Sequence, residues 1–393
     1  MEVYRVGGAI RDKLLGKTPS DLDYVVVGSS VEEMLSLGYT QVGRDFPVFL
    51  HPESSDEYAL ARQERLSGDK FVVGTNDVTL EQDLLRRDLT INAIAMDLED
   101  NLIDPYGGCK DLAEGVLRPV SEAFKEDPLR VLRAARLKCT LGGHWVISNE
   151  LKEYANDMKL LYTSMPKERV YKELVKVLAS DKPSVFFRAL DELNVLNDFF
   201  PEIYKMKSME HDNPYHMEGS VFNHTMLVVD QCETQVAKIA ALFHDIGKVP
   251  CKQTIGTFHG HSDEQWVKPA FETMRTTYGF SSEEFKVAEY VALNHHRWQN
   301  VIDGHTGSKK FLKLLLGIRD GKFLSYVLEA VYADMLGRYG IKKPFVYSQL
   351  DIRNMWYTIT KHKTDCSGLT TEQIKQKVYR EKLNLLKELI NEA

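Results

Sequence analysis

The chain has 393 residues, 43% apolar and 27% charged, a globular balance that excludes a disordered or collagen-like polypeptide. Its net charge of −7 and pI near 6.0 exclude a generally basic nucleic-acid-binding coat, leaving only a local basic patch for such a partner. No apolar run reaches the roughly 18 residues that span a bilayer, and Met1-Glu-Val-Tyr opens without a basic-then-apolar leader. Five scattered cysteines with no CxxC pair fit a reducing compartment, so the expected location is cytoplasmic, away from membranes.

At about 150 residues per domain, the length predicts two or three domains. Glu2 to Val6 reads as a strand, Ala9 to Leu15 as a short helix, and the β-branched run Leu22 to Val27 as a second strand. Ser30 with Glu33 has the form of a capping box, opening a helix that Gly38 can end. Asp45 to His51, Tyr58 to Arg62 and Ile91 to Met96 read as further strands. The polar segment Leu66 to Asp77 reads as a loop. The turn Asp104 to Gly108 is the last clear β feature. Helical periodicity dominates from about Thr79 to the end. The predicted class is α+β, a mixed head followed by a long all-α body.

Chemistry enters at Gly7-Gly8, between the first strand and first helix. Glycine lets a ligand approach the backbone, and free N–H groups at a helix start favour phosphate. Arg11, one turn in, can reach back toward a triphosphate. Asp21-Leu-Asp23 adds two carboxylates on one face of a strand. They repel unless a cation bridges them, and hard Mg²⁺ takes such carboxylates together with phosphate oxygens. An exposed acidic turn is the plainer alternative, but the buried-type run Tyr24 to Val27 puts Asp23 at a strand mouth. Glu57 is a third acidic candidate, with exposure or pairing to Arg62 the simpler reading. Further on, Asp127-Pro128 reads as a helix start. Arg130, Arg133 and Arg136 recur every three residues along the helix, with Leu129 and Leu132 on its apolar side. An arginine fork and a carboxylate together can hydrogen-bond a base edge.

Gly7-Gly8-Ala-Ile-Arg11-Asp12 followed by Asp21-Leu-Asp23 resembles the signature of the polymerase-β-like nucleotidyltransferases. Within them it resembles the branch of bacterial tRNA nucleotidyltransferases and poly(A) polymerases. Arg86-Arg87-Asp88 through Asn92-Ala93 resembles the family's ribose and nucleotide block. Asp104 to Gly108 with Asp111-Leu112 resembles its hinge, and Glu126-Asp127 through Arg136 its base-templating helix. The resemblance implies a polymerase-β-like nucleotidyltransferase head. In that head Asp21 and Asp23 are catalytic and bind Mg²⁺, while Gly8, Arg11 and Arg87 hold the nucleotide. Asp127 and Arg130 choose the base, with Arg133 and Arg136 as phosphate or base contacts. The implied partners are tRNA, CTP and ATP, not DNA, and the implied state is a monomer or weak homodimer. The implied reaction adds CMP, CMP and AMP to tRNA 3′ ends. A poly(A) polymerase, or a specialist adding only CC or only A, stays open within the same family.

Nine of the twelve histidines fall between 211 and 305. His224 near the start of one apolar helix, His244-Asp245 at the end of another and Asp334 on a third resemble the HD phosphohydrolase superfamily. That likeness makes His244 and Asp245 catalytic and His224, His244, Asp245 and Asp334 ligands of a transition metal such as Ni²⁺ or Mn²⁺. His259-Gly-His261 and His295-His296 are further candidates. His261 and His295 are expected either to complete a second metal or to bind phosphate. Lys248 is placed to meet phosphate charge. The expected division is a head with templating helix over 1–138, a helical neck over 139–208, an all-α HD domain over 209–340 and a helical tail over 341–393. From another class, the chain reads alternatively as a metal phosphohydrolase whose head merely binds RNA; the Asp21–Asp23 pair argues against that.

Overall fold

The computed structural model describes residues 1–19, 22–42, 48–54, 56–62, 66–67, 70–71, 77–211, 216–339 and 345–392. Asp21 and the start of the expected Asp45–His51 strand lie outside these residues, as does most of the Leu66–Asp77 segment. The chain forms two compact units, residues 1–165 with 189–195, and residues 166–188 with 196–393.

In the first unit, β1 (Glu2–Val6), β2 (Asp23–Val27), β3 (Thr40–Val42), β4 (Val48–Leu50) and β5 (Glu57–Leu60) join β8 (Ala95–Met96) and β9 (Leu102–Ile103). They make one seven-stranded sheet among the described residues, in the order β3-β4-β5-β2-β1-β8-β9. The central β2 runs antiparallel to β1 and parallel to β5. Strand alternation sends Val26 and Leu60 to one face, where they pack on Met34 and Phe49. Val6 and Val25 go to the other, against Leu80, Leu84, Ala93 and Ala95. The helices are α1 (Gly8–Leu14), α2 (Val31–Ser36), α3 (Leu80–Leu85), α4 (Gly108–Glu114), α5 (Leu129–Leu141), α6 (Asn149–Asp157) and α7 (Lys159–Tyr162).

Several expected elements differ. The strand expected over Ile91–Met96 is confined to Ala95–Met96. Before it, Thr90–Asn92 is a 3-10 turn. The turn forms because Asp88 accepts hydrogen bonds from the Leu89 N–H and the Asn92 side chain. The β text does not end at Gly108, because β10 (Val116–Leu117) pairs in parallel with β11 (Val146–Ile147). Within Leu66–Asp77, β6 (Leu66–Ser67) and β7 (Lys70–Phe71) form a small ribbon. Ser30 caps α2 by accepting from the Glu33 N–H, but the Glu33 carboxylate turns to Ser29, so the capping box is half made.

The second unit is helical among its described residues. α8 (Lys167–Leu178), α9 (Ser184–Glu192), α10 (Leu196–Phe199) and α11 (Pro201–Lys205) lead to α12 (Val221–Val229) and α13 (Gln235–Phe243). α14 (Lys248–Ile255), α15 (Glu264–Thr277), α16 (Ser282–Ile302), α17 (Ser308–Leu316) and α18 (Gly321–Leu336) follow. α19 (Gln349–Lys361) and α20 (Thr371–Glu392) close the chain. α9 is divided, its second half belonging to the first unit. Helices α12, α13, α16 and α18 pack with buried Val228, Ile239, Leu242, Val291 and Val327. No described helix is long and apolar enough to cross a membrane.

Candidate active sites

In the first unit the chain leaves β1 at Gly7, whose φ of +75° is a left-handed conformation that glycine adopts without strain. A Cβ there would stand 3.2 Å from the Arg87 guanidinium and 3.8 Å from an Asp23 carboxylate oxygen. Arg87 and Asp23 thus converge on the Gly7-Gly8 turn. Asp23 opens β2 with its side chain exposed. Its register partner on β5 is Glu57, also exposed, so the two carboxylates share one sheet face. Asp21, the other half of the expected pair, lies outside the described residues.

Arg11 lies over Gly8, with its Nη2 3.3 Å from where a Cβ would be. It pairs with Asp12 at 2.9 Å and donates to Asn92 Oδ1 at 2.8 Å. Asn92 in turn donates to Asp88 at 2.9 Å. Asp88 also lies 3.6 Å from Arg133 Nε. A continuous polar chain therefore runs from Arg11 through Asn92 and Asp88 to α5. Burial alone raises a carboxyl pKa. At Asp88 the Arg133 charge and the Asn92 hydrogen bond outweigh it, and the pKa lies below the usual carboxylate range.

Asp127 does act as a cap, its carboxylate accepting from the Leu129 N–H at 3.1 Å. The arginine stripe is not a uniform solvated face. Arg130 is buried and donates to the Ala123 carbonyl at 2.7 Å, Arg133 is exposed, and Arg136 is half-buried. Arg86 and Arg87 both pair with Asp83, at 2.8 and 3.1 Å. That pairing is not at the surface, because the Asp83 side chain is fully buried.

In the second unit, α12, α13, α16 and α18 bring the widely spaced histidines into one cluster. His224 Nε2 lies 3.0 Å from Asp334 Oδ1 and 3.3 Å from His244 Nε2. Asp245 presents Oδ2 to His244 Nε2 and Oδ1 to His261 Nε2, each at 3.1 Å. Around His261 Nε2 stand His296 Nε2 at 3.2 Å and His295 Nε2 at 3.4 Å. The expected ligands thus fall into two groups, with His296 joining His261 and His295 in the second, and a third cluster, His216 with Glu218, shares His224 with the first. Gly247 gives His261 its place, since a Cβ at 247 would overlap the His261 carbonyl oxygen.

Ring orientation identifies what these groups suit. His244, His261 and His295 direct Nδ1 at the Ala241, Phe258 and Val291 carbonyls, at 2.7, 2.8 and 3.1 Å. A carbonyl only accepts, so each Nδ1 carries a proton, and in the neutral ring Nε2 offers a lone pair directed inward. Between His261 and His295 such lone pairs face one another at 3.4 Å and repel unless something between them accepts electrons. Asp245 Oδ1, buried, has no hydrogen-bond donor. Donors of this kind, imidazole with carboxylate, fit borderline divalent metals.

Burial and the neighbouring His296 hold the His295 pKa well down, and burial with His261 lowers that of His296 to about 4. Burial works against the charged forms of Asp245 and Asp334, but His244 with Lys248, and Arg338 with His244, keep both well below the usual range. Lys248, expected to face phosphate, pairs with Asp245 Oδ2 at 2.6 Å.

Asp83 in the head and Glu218 and Gln299 in the second unit carry no site role in the sequence reading, and Asn92 enters it only as part of the nucleotide block. Gln299 hydrogen-bonds Asp334, and Glu218 lies against His216 and His224. Gln299, one turn after His295-His296, carried a readable helical spacing; Glu218 carried no comparable signal.

Residues 3–118 match the family described as Poly A polymerase head domain. Residues 146–206 match the one described as probable RNA and SrmB-binding site of polymerase A. The Multifunctional CCA protein of Actinobacillus pleuropneumoniae serotype 5b is 38% identical over 406 residues, covering 98% of this chain and 97% of the relative. That of Shewanella denitrificans is 40% identical over 366 residues, covering 87% and 86%. A solved CCA-adding enzyme in apo form II is similar at a TM-score of 0.62 and 21% identity, over 99% of this chain and 88% of that one, a likeness of fold.

Proposed function

Because the chain belongs to the family of the multifunctional CCA proteins, we propose that it adds CMP, CMP and AMP, without a nucleic-acid template, to the 3′ end of tRNA. The observation that carries the reading is the convergence of Asp23, Arg87 and the Gly7-Gly8 turn, joined by Asn92 and Asp88 to the arginine helix α5. Asp21 and Asp23 hold Mg²⁺, which lowers the cost of deprotonating the RNA 3′-hydroxyl and of charge on the leaving pyrophosphate. Gly8 and Arg11 receive the triphosphate, and Arg87 fixes the nucleotide beside Asp23.

Asp127 and Arg130 present acceptor and donor groups to the base. Cytosine and adenine share an exocyclic amine that a carboxylate accepts from, and each mismatch costs roughly 1–3 kcal/mol. Arg133 and Arg136 extend the contact surface. The test is tRNA lacking its tail, incubated with CTP and ATP singly and together. CTP alone should give two additions and both nucleotides three, whereas a lengthening A tail or arrest after CC would refute full CCA addition.

The second unit, within residues 209–340, is proposed to hydrolyse phosphate esters such as terminal or 2′,3′-cyclic phosphates, which restores the free hydroxyl the head requires. His224, His244, Asp245 and Asp334 form one metal-binding group, and His261, His295 and His296 with the other oxygen of Asp245 form a second. These residues would hold a divalent ion, which when bound would supply an activated water and polarise the phosphate. Lys248 and Arg338 add positive charge at the site edge. A cytoplasmic location fits this tRNA chemistry. The hydrolase is tested with a His244→Ala/Asp245→Ala variant, which should lose cyclic-phosphate hydrolysis while keeping CCA addition to hydroxyl-ended tRNA. Unchanged hydrolysis would remove the assignment.

A further inference from the structure

The three inward-facing imidazoles His244, His261 and His295 rest their outer nitrogen on a main-chain carbonyl. His224 differs. Its Nδ1 lies 2.9 Å from Glu218 Oε1, a short contact without the alignment of a full hydrogen bond. Glu218 is buried, with its side chain 1% exposed. The same oxygen lies 2.8 Å from His216 Nδ1, and Oε2 accepts from the Tyr339 N–H at 3.3 Å. The carboxylate is therefore fixed by the segment preceding α12 and the residues following α18, behind the ring whose Nε2 faces His244 and Asp334.

We propose that Glu218 is a positioning residue that holds His224 for metal binding and makes the His224–His244–Asp334 group the tighter of the two. The proposal rests on the metal reading of the second unit. A negative charge behind an imidazole raises its basicity and fixes the tautomer that keeps Nε2 free. Loss of such a partner typically costs 10–100-fold in metal affinity. In the other group the outer nitrogens of His261 and His295 rest on main-chain carbonyls, and His296 Nδ1 meets the neutral Gln299 amide at 3.2 Å. Charge count points the same way. The first group contains Asp334 outright and shares Asp245, whereas the second takes its charge from Asp245 alone.

The experiment is calorimetric titration of the full chain with Ni²⁺, for wild type and for Glu218→Gln, Glu218→Asp and His244→Ala. Circular dichroism melts of the metal-free proteins check folding. Wild type should bind in a tight and a weak class. Glu218→Gln should weaken the tight class about 10–100-fold with the weak class unchanged, and Glu218→Asp should recover part of the loss. His244→Ala should remove the tight class. If a folded Glu218 variant titrates like wild type while His244→Ala loses the tight class, Glu218 has no such role and the metal reading stands. Equal weakening of both classes, or two classes of equal affinity in wild type, would also overturn the proposal. Absence of Ni²⁺ binding by wild type would remove the metal reading itself. If Glu218→Gln fails to fold, the same comparison is made with Glu218→Asp.

Discussion

Asp83, fully buried, holds the Arg87 guanidinium at 3.1 Å while the far side of that guanidinium overlooks Gly7. One carboxylate thus aims the arginine proposed to contact the nucleotide and also anchors Arg86. Burial raises the Asp83 pKa, but Arg87 and Arg86 more than offset it, and it lies below the ordinary value. The sign follows from linkage. A carboxylate whose folded pKa is depressed contributes stability above its unfolded pKa of about 3.9, and loses it as pH falls through the folded value. Asp88 behaves in the same sense. Thermal unfolding followed from pH 7 to 2 should show a steep loss below about pH 4. Asp83→Asn should flatten that limb and cost about 3–5 kcal/mol at neutral pH, as when one partner of a buried pair is removed. An acid limb unchanged in the variant would refute this account.

Asp88 links Asn92 to Arg133 and so joins the proposed phosphate end of the site to α5, the helix proposed to select the base. Replacement of Asp88 by Asn removes a charge-assisted interaction worth about 1.5–3 kcal/mol. The expected result is a fall of roughly 10- to 150-fold in kcat/KM for nucleotide incorporation. Asn92→Ala should act on the same step, and the double variant should be less than additive. Strict additivity in steady-state kinetics would show that the two do not act as one chain.

Gly108 is required for a steric reason rather than for turn geometry. A Cβ there would overlap the Thr90 carbonyl oxygen, on the turn that carries Asn92. Gly108→Ala should cost about 1–3 kcal/mol of stability, as overpacking does. It should also lower CCA addition, although residue 108 is assigned no substrate contact. Calorimetric melting and a CCA-addition assay together check this, and full activity would count against it.

Removal of metal should affect the two chemistries differently. Dialysis against a chelator should abolish both, and Mg²⁺ alone should restore nucleotidyl transfer. Phosphohydrolysis should return only with a transition ion. Because an ion bound only to the folded state stabilises it, the second unit should melt higher with Ni²⁺ than with Mg²⁺ at equal concentration. Equal restoration of hydrolysis by Mg²⁺ alone would contradict the imidazole-rich assignment.

Much of the head was legible because its signals are local. Gly7-Gly8, Asp23 at a strand mouth and Asp127 as a cap each depend on neighbours within a few residues. The His244-Asp245 pair and Asp334 were readable for the same reason, each set on an apolar helix. What was misread depends on side chains competing with the backbone. Ile91 and its neighbours have strand composition, yet Asp88 and Asn92 close a turn there. What was missed depends on contacts between distant segments. Glu218 meets Tyr339 across 121 residues, and no spacing rule reports that contact.

Residues 189–195 return to the first unit after 166–188 have joined the second. Within the first unit, Glu192 binds Lys138 and Lys152, and Asn194 bonds Asn156. Buried Leu190, Leu193 and Val195 lie in this strip. A gene cut after codon 165 would strip the transferase of that seam, and one after codon 195 would leave it trailing helix α8, which belongs to the other unit. Fission into two independent genes therefore needs rebuilt borders as well as a stop codon, and the linkage between the two units is written into the order of the polypeptide.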